Sequence, residues 1–362
     1  MSGAAIRRAV LDETGGAAAG RRVRPPVECP LASARATHCN GGKSVALAAT
    51  AEQKELLNEQ GFFVIEEYLD ADEVTVLNDA FDEVGARLRR ERGMAPDAQL
   101  SCRNGLVKHE AFLNLMDRPD ILRYVVDIVG WNVQNRDSVI LWTPPTPGRH
   151  PSALSLGWHF DYEEEFTGIG IDGPMPWLDF KIGWYVSDAT EPGHASILFV
   201  PGSHRWGMER RARWREEMRA EDVFELKVPP GSLMMWRPTL LHAASPNLGT
   251  HERRALYISY APRWIRPSGH VEQDPDLVAR SDPIRRQLLG AMGNLSHPLG
   301  PDPENHPDSQ YWFAADWDNI PLKQWAEEQA GEPPYDWGTG YGVGTVKGPE
   351  YAFHDNTDPR RV

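Results

Sequence analysis

Hydrophobic positions along this chain follow one period and then another. Val74, Leu77, Phe81, Val84 and Leu88 recur every three or four residues, which lays apolar side chains along one face of a helix. Asp70 stands where its carboxylate can cap the free N–H groups of that helix, and the pattern runs through Arg92. A shorter helix is predicted over Ala51–Gln60, stopped by Gly61 and followed by a strand at Phe62–Ile65. Pro119 suits the first turn of a further helix, where no N–H is needed. Ile121, Leu122, Val125 and Val126 supply its buried face and Gly130 its end.

Beyond Gly130 the period shortens to two. Leu178, Phe180, Ile182, Trp184 and Val186 alternate with more polar neighbours, as in a strand with one buried face. Short apolar runs at Val139–Trp142, Ile197–Val200, Val223–Val228, Ser232–Trp236 and Ala255–Tyr260 are punctuated by Pro and Gly turns. Many short strands behind a helical first third predict a mainly β fold with flanking helices, built on a double-stranded β-helix (jelly roll, cupin-like) core. The expected layout is one domain over 49–330, with the core at about 135–265 and a helical C-terminal extension. Residues 1–48, rich in Ala, Gly and Arg without periodicity, read as a disordered arm, and 331–362 as a Gly/Pro-rich tail.

At 362 residues the chain has ample length for a well-buried core, and 41% apolar with 25% charged residues is ordinary for a soluble globular protein. A formal net charge of −14 argues against nucleic acid, whose phosphates need basic patches. No apolar run reaches the roughly 20 residues of a membrane span, and the N-terminus lacks the apolar core of a secretion signal. Cys29, Cys39 and Cys102 form no disulfide framework, so a cytoplasmic location is expected.

The chemistry concentrates at Gly157-Trp158-His159-Phe160-Asp161. On a strand, His159 and Asp161 leave the same face, two residues apart. A third ligand from another strand would complete a facial triad with open positions opposite, an arrangement suited to non-haem Fe(II), and a second histidine, His242, lies downstream. The aromatic residues Trp158, Phe160, Tyr162, Phe166 and Trp177 lie close enough in sequence to divide between pocket and core. Glu163-Glu164-Glu165 reads either as a solvated loop or as acids that attract an amine-bearing substrate.

Four blocks resemble the phytanoyl-CoA dioxygenase family of Fe(II)/2-oxoglutarate oxygenases over roughly residues 50–265. They are the helix before Gly61-Phe62-Phe63-Val64-Ile65, Gly157–Asp161, Phe199-Val200-Pro201-Gly202-Ser203-His204, and Pro230-Gly231-Ser232 through His242 to Arg253. The resemblance implies iron on His159, Asp161 and His242, and 2-oxoglutarate held by Arg253, with Trp184 beside it and Lys108 as a further carboxylate-binding lysine. Arginine fits that task because its planar fork pairs bidentately with a carboxylate. Arg254 would face the opposite side of the strand. His204 is expected to hydrogen-bond locally after its strand, and Ala244 stands where some relatives place a serine that touches the co-substrate. Asp161, where related halogenases carry alanine, implies oxygen transfer. The implied activity uses O2 and releases succinate and CO2 while oxidising, most simply hydroxylating, an unactivated C–H of a small-molecule metabolite, in specialised metabolism. A protein-modifying hydroxylase and a non-catalytic jelly-roll binding protein are the alternatives.

Overall fold

A computed structural model of the chain describes residues 49–290, apart from 147, 149–151, 164–167, 169, 171 and 174–176, together with 320–330. The expected N-terminal arm and the tail from 331 lie outside the described residues. Helix α1 (Ala51–Glu59) opens on a capping box in which Thr50 and Gln53 satisfy each other's backbone N–H groups. Strand β1 (Phe62–Ile65) follows, and Asp70 with Glu73 builds the same device at the head of α2 (Ala71–Glu91). After β2 (Leu100–Arg103) come the single-turn helix α3 (Glu110–Leu113) and α4 (Pro119–Val129), with Pro119 in its first turn and Gly130 at φ +87° ending it.

The remaining strands are β3 (Val133–Thr143), β4 (Phe180–Tyr185), β5 (Ile197–Phe199), β6 (Phe224–Glu225), β7 (Ser232–Trp236), β8 (His242–Ala244) and β9 (Arg253–Pro262). They form a six-stranded sheet in the order β1-β7-β4-β9-β3-β2 and a three-stranded sheet β6-β5-β8. All pairings are antiparallel. A fourth position in the smaller sheet is reduced to one antiparallel bridge, His159 to His242. Two facing sheets in this order make a double-stranded β-helix, as expected, with the helices laid against the outer face of the larger sheet.

Strand parity decides what enters the barrel. Phe180, Ile182 and Trp184 point to the helix side, where they share a core with Leu77, Phe81 and Val125. Lys181, Gly183 and Tyr185 therefore point inward, and Tyr185 packs with Phe62, Phe199 and Trp236. The clean alternation in the sequence marks the helix-covered face. The inward face of β4 carries a charge, a glycine and a hydroxyl, and no hydrophobic period reveals it.

Boundaries differ from expectation where polar residues are buried. β3 begins at Val133, not Val139, because Gln134 and Asn135 are buried by their side-chain hydrogen bonds, with a bulge between Asn135 and Asp137. The run Val223–Val228 pairs in regular fashion only at Phe224–Glu225. The C-terminal helices Pro275–Arg280, Pro283–Leu288 and Pro321–Ala330 each start on proline. Buried Gln287 fastens the second of them by donating to the carbonyls of Trp131 and Val133.

Candidate active site

The segment His159–Asp161 is not the regular strand expected. Its partner β8 is three residues long, so the ladder closes after one bridge, with His159 and His242 exchanging N–H···O bonds of 3.0 Å. The N–H of Asp161 then donates to the Pro238 carbonyl (3.1 Å) and Tyr162 turns the chain at φ +65°. The extended geometry nonetheless keeps both side chains together. His159 Nε2 lies 3.8 Å from Asp161 Oδ1, and the His159 and His242 ring centroids are 4.2 Å apart. One donor atom from each of His159, Asp161 and His242 lies within 4.8 Å of the others, so the three can hold a metal ion.

Both rings are oriented by the same device. His159 Nδ1 donates to the Gly157 carbonyl (2.9 Å) and His242 Nδ1 to the Leu240 carbonyl (2.7 Å). A carbonyl only accepts, so each Nδ1 carries the hydrogen and each Nε2 presents its lone pair, which is how ligating histidines are commonly set. Burial pushes His242 down to about 4, with Asp161 opposing and His159 and Lys181 assisting. The ring is thus neutral at physiological pH, as ligation requires.

Lys181 was not among the expected site residues. Its ammonium contacts Asp161 Oδ2, leaving Oδ1 on the His159 side. Burial works to raise the Asp161 carboxyl, but Lys181, His242 and His159 outweigh it and hold the carboxyl well below its usual range. Burial likewise opposes the charge of Lys181, and Asp161 and Asp179 overcome it. Its signal in the sequence is the lysine on the polar side of β4, opposite the apolar face.

At the start of β9, Arg253 is 3% exposed. It donates to the Tyr185 hydroxyl (3.1 Å) and to that of Tyr257, and its guanidinium carbon lies 4.9 Å over the Tyr185 ring. No carboxylate pairs with it among the described residues. The two hydroxyls also contact each other at 3.1 Å. A chain of contacts joins this cation to the triad. Tyr257 stands edge-on to Trp236 (5.4 Å), and Lys181 lies 5.8 Å over Trp236 and reaches Asp161. Gly183 makes room for the tyrosine, because a Cβ there would sit 2.6 Å from Tyr257 Cδ1. Arg254 points the other way, as expected, and pairs with Asp82 and Glu252.

Other expected positions fall elsewhere. Trp184 is fully buried on the helix side of β4, so its place beside a co-substrate is corrected: inward pointing passes to its neighbour Tyr185. Lys108 ends a short 3₁₀ turn, Leu106–Lys108, where its carbonyl accepts from Arg87. Trp158, Phe160 and Tyr162 pack with Leu198 and Trp214 as core, and Phe166, Glu164 and Glu165 lie outside the described residues. His204 does not bond locally. It is fully buried, and its Nε2 reaches the Asn58 carbonyl (3.0 Å) at the end of α1, while Ser203 Oγ accepts from the Leu241 N–H (2.8 Å). The Pro-Gly-Ser-His block therefore fastens the strand that carries His242.

The family model described as Phytanoyl-CoA dioxygenase (PhyH) matches residues 57–255. Uncharacterized protein Rv1501 of Mycobacterium tuberculosis is 24% identical over 245 residues, covering 66% of this chain and 85% of its own. A Probable alpha-ketoglutarate-dependent hypophosphite dioxygenase of Stutzerimonas stutzeri is 23% identical over 243 residues, 58% of this chain and 78% of that one. Among solved structures, HygX from Streptomyces hygroscopicus with nickel and 2-oxoglutarate bound aligns at TM-score 0.46 and 18% identity, over 61% of this chain and 90% of its own. EctD from S. alaskensis with 2-oxoglutarate and 5-hydroxyectoine aligns at 0.47 and 18%, over 67% and 86%.

Proposed function

The chain belongs to the phytanoyl-CoA dioxygenase family, as a 2-oxoglutarate-dependent non-haem iron dioxygenase, and on that premise we propose that it hydroxylates an unactivated C–H of a small-molecule metabolite. One observation carries the reading. A buried guanidinium without a carboxylate partner among the described residues is joined through Tyr257, Trp236 and Lys181 to two imidazoles and a carboxylate that converge on one point.

In this proposal His159, Asp161 and His242 hold Fe(II). Their two neutral nitrogens and one anionic oxygen suit that ion and leave coordination positions free. When bound, the iron supplies the oxidation of substrate by O2 coupled to conversion of 2-oxoglutarate into succinate and CO2. The protein's own residues do the positioning. Arg253 pairs with the distal carboxylate of 2-oxoglutarate, and the Tyr257 and Tyr185 hydroxyls hold its fork in register. Lys181 occupies the outer oxygen of Asp161, which restricts that side chain to one metal-facing oxygen. Phe199 and Trp236 keep water from the wall behind His242. His159, with a side chain 53% exposed, marks the open side from which substrate approaches.

The finer reading is an amine-bearing substrate, supported by Glu163, two residues past Asp161, and by the net charge of −14. The test is purified protein with Fe(II), carboxyl-labelled 2-oxoglutarate and a metabolite panel, followed by CO2 release and a product heavier by one oxygen atom. CO2 release no greater than that of His159→Ala, across the whole panel, would reject the proposal.

A further inference from the structure

A second cluster of donors lies past the ends of the strands that carry Tyr185 and Arg253. Asp188, His194 and His251 place a carboxylate oxygen and two ring nitrogens within 4.8 Å of one another. Asp188 and His194 come from the β4–β5 connection and His251 from the β8–β9 connection. The two loops are joined independently of these side chains. Ala195 N–H donates to the Pro246 carbonyl (3.1 Å) and Leu248 N–H to that of Gly193 (2.7 Å). The Asn247 amide donates to the carbonyls of Thr143 (2.7 Å) and His251 (2.8 Å). Gly249 passes so close to His194 that a Cβ there would lie 3.0 Å from its ring.

The rings carry two further marks of ligation. His251 Nε2 donates to the Asp188 carbonyl (3.1 Å), which leaves Nδ1 with the free lone pair, the mirror of the device at His159 and His242. His194 Nδ1 is buried with no hydrogen-bond partner among the described residues, a cost that coordination would remove. Two imidazoles and a carboxylate are a ligand set of zinc sites, with water in the fourth place.

We propose that Asp188, His194 and His251 form a second divalent-metal site, of zinc type, which pins the β4–β5 loop to the β8–β9 loop. Bonds of about 2.0–2.2 Å to one ion need donors roughly 3.3–3.6 Å apart. The exposed His251 and half-buried Asp188 have room to close that difference. Because Asp188 is three residues past Tyr185 and His251 two before Arg253, the ion would brace the strand ends behind the dry guanidinium.

The experiment uses the full chain, stripped with chelator and titrated calorimetrically with Zn(II). Two equivalents are expected in the unaltered protein and one in the variant His159→Ala/His242→Ala. That remaining equivalent should raise the variant's melting temperature by several degrees. Adding His251→Gln, at an exposed position, should abolish both binding and shift while leaving the melting temperature of the zinc-free protein unchanged, and Asp188→Asn should likewise abolish both. The proposal is overturned if the His159→Ala/His242→Ala protein binds no zinc below about 100 µM, a binding energy of roughly 5–6 kcal/mol. It is equally overturned if zinc binding survives His251→Gln and Asp188→Asn unchanged.

Discussion

Replacing Arg253 by methionine removes the guanidinium but keeps a stem to fill the space between Tyr185 and Tyr257. In the protein without co-substrate, that cation is buried and hydrogen-bonded only to neutral hydroxyls. Burying a charge without a counter-charge costs several kcal/mol, so its removal relieves a penalty. The two tyrosines keep a partner in each other and Tyr185 keeps the Ile197 N–H, so few polar groups are stranded. Melting of Arg253→Met is therefore expected at or above that of the unaltered protein. Affinity for 2-oxoglutarate should behave oppositely. Truncating one partner of a buried, hydrogen-bonded charge pair costs about 2–5 kcal/mol, or roughly 30- to 5,000-fold in Kd. The assay is anaerobic titration of the metal-loaded protein with 2-oxoglutarate, beside thermal unfolding without it. Arg254→Met serves as the control: it breaks the pairs with Asp82 and Glu252, lowers stability by about 1 kcal/mol and leaves 2-oxoglutarate binding intact. Binding by Arg253→Met within fivefold of the unaltered protein, or loss of binding in Arg254→Met, would refute the reasoning.

Gly183→Ala drives a methyl into the Tyr257 ring, with Cδ1 2.6 Å and Cε1 2.8 Å away. It should cost about 1–3 kcal/mol of stability and weaken 2-oxoglutarate binding at unchanged metal affinity, read by parallel titrations. Trp184→Phe should lower the melting temperature by the equivalent of about 1–3 kcal/mol while leaving the KM for 2-oxoglutarate within twofold, because the ring lies in the helix-side core. Burial, with Arg237 next, lowers His204 from 6.5 to about 3. Between those values the unfolded chain binds a proton that the native state refuses, so stability falls as pH falls from about 6.5 to about 3. The slope is about 1.4 kcal/mol per pH unit, at most about 5 kcal/mol in all. In His204→Gln, which can still donate to the Asn58 carbonyl, denaturant titrations across that range should show a shallower slope; an unaltered slope refutes the assignment.

What was legible in the sequence was whatever repeats with a period or is written in contiguous residues. Helical spacing from Val74 to Leu88 specifies α2, Pro119 and Gly130 bracket α4, and Pro/Gly turns separate the strands of the barrel. His159-x-Asp161 carries its own proximity, because two residues in an extended chain cannot be far apart. The convergence of His242 on that pair follows from one bridge between segments more than eighty positions apart, a tertiary fact. Orientation was also decided only in three dimensions. Alternation along β4 shows that Trp184 and Tyr185 face opposite ways, but period two is blind to which face meets helices and which meets the smaller sheet. The rule that an apolar stripe points to the interior fails here, because the outer face is covered by helices and equally dry, while the barrel interior must hold Lys181, Tyr185 and Arg253. Arg253 was legible through the family resemblance, but Lys181 and Tyr185 follow no hydrophobic period, and only the stacking of the two sheets shows that they face the barrel interior.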